Sequence, residues 1–80
     1  MKCGVYSIRD RKSGIYGSPF YAVNDDCAVR DFDRIATSEA NAFIADDLEL
    51  YKVGIFDNDT GNMECLDSLE YMKGGVKPIE

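Results

Sequence analysis

The chain has 80 residues, 45% of them hydrophobic and 30% charged, with a formal net charge of −6. That bounds it to one globular domain, too short for a second core and too apolar to be disordered. No run of about 18 apolar residues occurs, which argues against a helical membrane span, and the acidic balance argues against indiscriminate coating of nucleic acid, which needs a positive surface.

Residues Lys2 to Arg9 read as a strand, because Val5, Tyr6 and Ile8 favour the pleat. Asp10 to Gly14 follow as a turn longer than a two-residue hairpin loop, with Gly14 available for a positive φ. Ile15 and Tyr16 resume the extended run, Gly17-Ser18-Pro19 interrupts it, and Phe20 to Val23 extends it again. An antiparallel hairpin with a kinked second arm is expected. Asn24 then caps a helix expected over residues 25–37, with Asp25 and Asp26 in the first turn where the helix dipole favours negative charge. Ala28, Val29, Phe32, Ile35 and Ala36 recur on one face, and Val29, Phe32 and Ile35 are the residues expected to be buried.

The stretch from Ser38 to Asp47 reads as loop with a short helical turn around residues 41–45. Leu48 to Phe56 is a third strand, Asp57 to Gly61 a turn, and Asn62 to Leu66 a fourth strand. Ser68 to Lys73 suits a short helix, and Gly74-Gly75 is expected to release a tail. The expectation is one α+β domain over residues 1–73 with a tail over 74–80: a four-stranded antiparallel sheet in the order β-β-α-β-β, packed by one amphipathic helix. The third strand looks apolar on both sides, with Leu48, Leu50 and Phe56 against Tyr51, Val53 and Ile55. A single helix covers one face, so the other needs the C-terminal segment or another protomer. A homodimer is expected.

The residues offer little for catalysis. Histidine, the commonest acid/base group and metal ligand, is absent. Cys3, Cys27 and Cys65 are odd in number and far apart, which suits buried free thiols in a reducing cytoplasm rather than a disulfide framework or a zinc site. No serine or cysteine has a histidine partner, and the glycines match no phosphate-binding loop. Asp57, Asp59 and Gly61 resemble part of a calcium loop, but the glycine is misplaced and the flanks read as strands, so a hairpin turn is the better reading. No enzyme activity, cofactor or metal is expected. Lacking the apolar core of a signal peptide in MKCGVYSIRD, the protein is expected to act in the cell that makes it.

Binding is better represented. Arg9, Arg11, Lys12, Arg30 and Arg34 precede position 35, whereas Glu39 to Glu70 holds nine carboxylates and Lys52 as its sole cation, so a basic N-terminal half and an acidic C-terminal half are expected. Arg9, Arg11 and Lys12 crowd one turn, with Tyr6, Tyr16, Phe20 and Tyr21 on the strands beside it. Cations that track a backbone and aromatics that stack on bases are how single-stranded nucleic acid is held. Arg9, Arg11, Lys12, Tyr16, Arg30 and Arg34 form the candidate set. The alternative is that the aromatics are core, the turn charges merely solvated, and Arg30 and Arg34 part of a solvated helix face beside Asp31 and Asp33.

The run from Tyr6 to Phe32 resembles the small non-structural protein of gokushoviruses, single-stranded-DNA bacteriophages of the Microviridae. The matching residues are Tyr6, Ser7, Asp10, Lys12, Ser13, Tyr16, Pro19, Phe20, Ala22, Asn24, Asp25, Ala28, Arg30 and Phe32. A later pattern matches as well, through Leu48, Leu50, Tyr51, Gly54, Phe56, Asp57, Thr60 and Gly61. The resemblance implies a non-catalytic regulator of viral genome replication or packaging that binds single-stranded DNA, located in the host cell cytoplasm and not in the virion. An acidic module that engages a viral replication or packaging protein, or a host factor, is the alternative it leaves.

Overall fold

The computed structural model of the protein describes residues 1–75. Strand β1 (Lys2–Asp10) is followed by two short strands, β2 (Ile15–Tyr16) and β3 (Phe20–Ala22), then helix α1 (Asp25–Ala36), a 3-10 helix (Ala42–Asp47), and the long strands β4 (Leu48–Asp57) and β5 (Asn62–Gly74). The expected α+β architecture is present. The sheet is antiparallel in the order β2-β1-β4-β5, with β3 also on β1.

The kinked second arm is two strands rather than one. β2 pairs with the far end of β1 (Arg9 with Tyr16) and β3 with its near end (Val5 with Tyr21), the register advancing by one residue between them. Gly17 keeps the break attached, donating its N–H to the Ile8 carbonyl at 2.8 Å and accepting from the Ser7 hydroxyl at 2.8 Å. Gly14, at φ 74°, closes the first turn through its N–H to the Asp10 carbonyl.

Helix α1 begins as its residues dictate: the Asn24 side chain accepts from the Cys27 N–H at 2.8 Å. The buried stripe is Ala28, Phe32 and Ala36: Phe32 is buried as expected, while Ala28 and Ala36 take the places expected for Val29 and Ile35. A four-residue repeat points these three at the sheet, so Val29 flanks the stripe half-buried and Ile35 is 40% exposed. With Tyr6, Ala22, Ala45, Leu48 and Leu50, the stripe forms the hydrophobic core, on one face of the sheet.

Two departures lie in the C-terminal half. The helix expected over Ser68 to Lys73 is strand, because β5 continues along β4 with Lys52 opposite Glu70, Tyr51 opposite Tyr71 and Leu50 opposite Lys73. Leu, Glu, Met and Lys favour a helix by local propensity, but pairing with a central strand overrides it. Gly74 ends β5 and the Gly75 N–H donates to the Leu48 carbonyl at 2.9 Å, so the segment expected as tail is still paired at its start; its remainder lies outside the described residues. The second departure is parity. Val53 has no partner on β1, which pairs Val5 with Gly54 and Tyr6 with Lys52. That bulge flips the rest of β4, so Phe56 shares the helix-free face with Tyr51 while Ile55 turns to the helix side.

Candidate nucleic-acid interface

In β1 the side chains alternate, with Tyr6 and Ile8 toward α1 and Val5, Ser7 and Arg9 on the opposite, helix-free face. Antiparallel pairing sets Tyr16 beside Arg9 and Tyr51 beside Ser7, and β5 adds Tyr71 beside Tyr51. Three tyrosines therefore form a row on that face, Tyr16 to Tyr51 at 5.6 Å and Tyr51 to Tyr71 at 5.7 Å between ring centroids, both edge-to-face. The Arg9 guanidinium lies 5.8 Å from the Tyr16 ring centre and pairs with Glu49 at 3.2 Å. Tyr16 is 42% and Tyr71 56% exposed, so the row presents ring surface to solvent. Burial, then the Glu49 carboxylate, holds the Tyr51 phenol above its ordinary pKa, which keeps it neutral.

The six candidate residues divide into two groups. Arg9, Arg11, Lys12 and Tyr16 gather at one end of the sheet, Arg11 and Lys12 in the turn between β1 and β2. Arg11 reaches the Asp46 carbonyl at 3.2 Å and the Asp47 carboxylate at 3.4 Å. Lys12 is exposed and has no ion pair among the described residues. Arg30 and Arg34 lie on α1, in the other layer, where Arg34 pairs with Asp31 at 3.1 Å; they do not join the turn. Tyr51 and Tyr71 were missed by sequence. Alternation along β4 signals Tyr51, whereas the helical reading of β5 hid Tyr71.

The expected separation of a basic from an acidic half does not survive folding. β1 runs antiparallel to β4, so cations of the first half meet carboxylates of the second: Arg9 with Glu49 and Arg11 with Asp47. The reverse pairs also form, Lys52 with Asp25 at 3.1 Å and Lys73 with Asp33 at 2.8 Å. The sharpest of these sites is at the start of α1. The Tyr6 hydroxyl, fully buried, donates to Asp25 Oδ1 at 2.6 Å, and Lys52 Nζ donates to the same oxygen. Those two donors lower the Asp25 pKa, while burial and the Asp25 carboxylate push the Tyr6 phenol far above its usual value. This set ties the helix to both central strands.

Elsewhere, Asp57 to Gly61 is a hairpin turn, with Gly61 at φ 78° and its N–H on the Asp57 carbonyl at 2.7 Å. The amino terminus pairs with Asp57 and Asp59, and the Asp59 N–H lowers the Asp57 pKa. Among the described residues no cluster of His, Cys, Asp or Glu is arranged to hold a metal, and no helix is long and apolar enough to cross a membrane. The three thiols are free; Cys3 is buried and Cys27 half-buried, but Cys65 is exposed, which corrects the expectation that all are buried.

Fold and site together define a small helix-on-sheet domain whose second sheet face is tyrosine-rich and uncovered among the described residues, with a cationic turn at its end. The family model described as Phage ORF5 protein matches residues 3–77, and the chain belongs to that bacteriophage protein family. Comparison with curated proteins and with solved structures gave no match.

Proposed function

We propose that this phage protein is a non-catalytic, non-structural regulator of viral genome replication or packaging that binds single-stranded DNA at the β1–β2 turn. The observation that carries the reading is the juxtaposition of Arg9, Arg11 and Lys12 with the exposed Tyr16 ring and the tyrosines behind it. Rings offer stacking surface to any base, and cations beside them follow the phosphates. The resemblance to gokushovirus small proteins supports the same role, as does membership of a phage family.

Titration of a labelled oligothymidylate at a series of salt concentrations tests it. Three phosphate contacts from Arg9, Arg11 and Lys12 give a log–log salt slope of about −2 on a single strand. Arg11→Ala with Lys12→Ala should flatten that slope by about 1.4, and Tyr16→Ala should weaken binding about tenfold, the loss of one stacked base. No binding at low salt overturns the DNA reading. A second reading then stands, a module for a viral or host protein partner; it is favoured by the carboxylates that already hold Arg9 and Arg11 and by the net charge of −6.

A further inference from the structure

The helix-free face continues past the tyrosine row into a different surface. Val5, Pro19, Phe20, Tyr21, Phe56 and Met63 line an apolar cup of about 260 Å³. Tyr21, 66% exposed, and Met63, 55% exposed, form its rim, and the Tyr21 and Phe56 rings lie 6.4 Å apart. Registers across the sheet place Cys3, Phe56 and Met63 in one row and Tyr21, Val5, Gly54 and Cys65 in the next. These two rows thus carry neither carboxylate nor cation, in a chain that is 30% charged. Glu64 and Glu70, from the same strand, pair opposite Ile55 and Lys52 and so point to the helix side.

We propose that this face is the interface of a two-fold dimer, in which Tyr21, Phe56 and Met63 of each copy close the other copy's cup. A two-fold interface must be complementary to itself, and this one is: its centre is uncharged, and its border holds both signs in Arg9 and Glu49, so each copy meets the opposite charge of the other. Each copy carries −6, so repulsion is least where charge is absent. The core also needs the interface. Among the described residues, only Tyr6, Phe32 and Leu50 are large side chains wholly buried within one copy, and a domain this small gains stability from added burial. Arg11 and Lys12 sit in the turn beyond the sheet and stay accessible in the dimer, whereas Arg9 and Tyr16 stand at the border of the two surfaces, so dimerisation is measured without DNA and judged apart from DNA binding.

Sedimentation velocity of the full chain across micromolar concentrations tests the proposal. The expected species has twice the chain mass. Met63→Glu and Tyr21→Glu each place a charge on a side chain already more than half exposed in one copy, so the fold, followed by circular dichroism, should hold while dimerisation weakens at least about tenfold. Phe43→Glu, at the 87%-exposed residue of the 3-10 helix, should leave the dimer intact. In the unmodified protein, alkylation of Cys65 should slow as concentration carries the chain into the dimer. A monomer throughout this range, a dimer that survives both Met63→Glu and Tyr21→Glu, or one lost only with Phe43→Glu, overturns the assignment.

Discussion

Asp25 joins the helix to both central strands, receiving the Tyr6 hydroxyl and the Lys52 ammonium on one oxygen. Its pKa is lowered in the folded chain, so its contribution to stability is present above the ordinary value of 3.8 and is lost as pH falls through the folded value. The Tyr6 phenol shifts the other way. Its contribution is complete below its ordinary value of 10.0 and declines above it, where the unfolded chain ionises first. Chemical denaturation at a series of pH values should therefore show losses below about pH 4 and above about pH 10. Asp25→Asn should flatten the acid limb and Tyr6→Phe the alkaline one. Tyr6→Phe should also cost about 1–2 kcal/mol at neutral pH, through the buried hydrogen bond. Phe32→Ala removes the largest helix side chain from the core and should cost about 3–5 kcal/mol, much of the stability of so small a domain. A melting temperature unchanged by it would show that α1 packs through other residues.

At the scale of elements, the N-terminal half was legible because its signals are local. The Asn24 cap, the aspartates after it and Gly14 each dictate a backbone conformation with no help from distant residues. β5 was half legible. Its first residues follow a turn with Gly61, whereas Ser68 to Gly74 are strand only because β4 lies beside them. The parity of β4 was hidden for a related reason: the Val53 bulge exists in the pairing with β1 and leaves no mark on local pattern. Gly54, just after that bulge, is the tightest point of the β4–β5 pair. A Cβ there would meet the Glu64 carbonyl oxygen at 2.6 Å, and backbone does not yield cheaply. Gly54→Ala should destabilise by about 1–3 kcal/mol, read from the denaturation midpoint. An unchanged midpoint would mean that β5 does not run along β4 at this position.

Over the whole molecule, β1 and β4 are the strands paired on both sides, while β2, β3 and β5 are edges. Hydrogen exchange should therefore be slowest for amides of β1 and β4 and faster along β5, since opening an edge disrupts fewer contacts. Slower exchange in β5 than in β4 is the result that would place the stable centre elsewhere. The candidate site was legible as a list of residues and not as a place. Arg9, Arg11, Lys12 and Tyr16 are neighbours in sequence and remain so in space, but Arg30 and Arg34 depart with the helix, and the carboxylates that face the turn arrive from residues about 35 to 40 positions away. Charge summed along the sequence cannot anticipate which strands will lie side by side.

The register of β5 has a consequence for the protein at high concentration. Leu66 to Leu69 stand opposite Val53 alone, so the pairing of the sheet's outer strand is interrupted midway by an arch of unpaired register. A long straight edge is a template on which further chains add to build cross-β fibres, and an interruption of this kind breaks the template into two short stretches. Shortening the arch to a single residue, so that β5 runs straight, should leave a foldable chain that binds thioflavin T and forms fibrils on standing at concentrations where the parent stays clear.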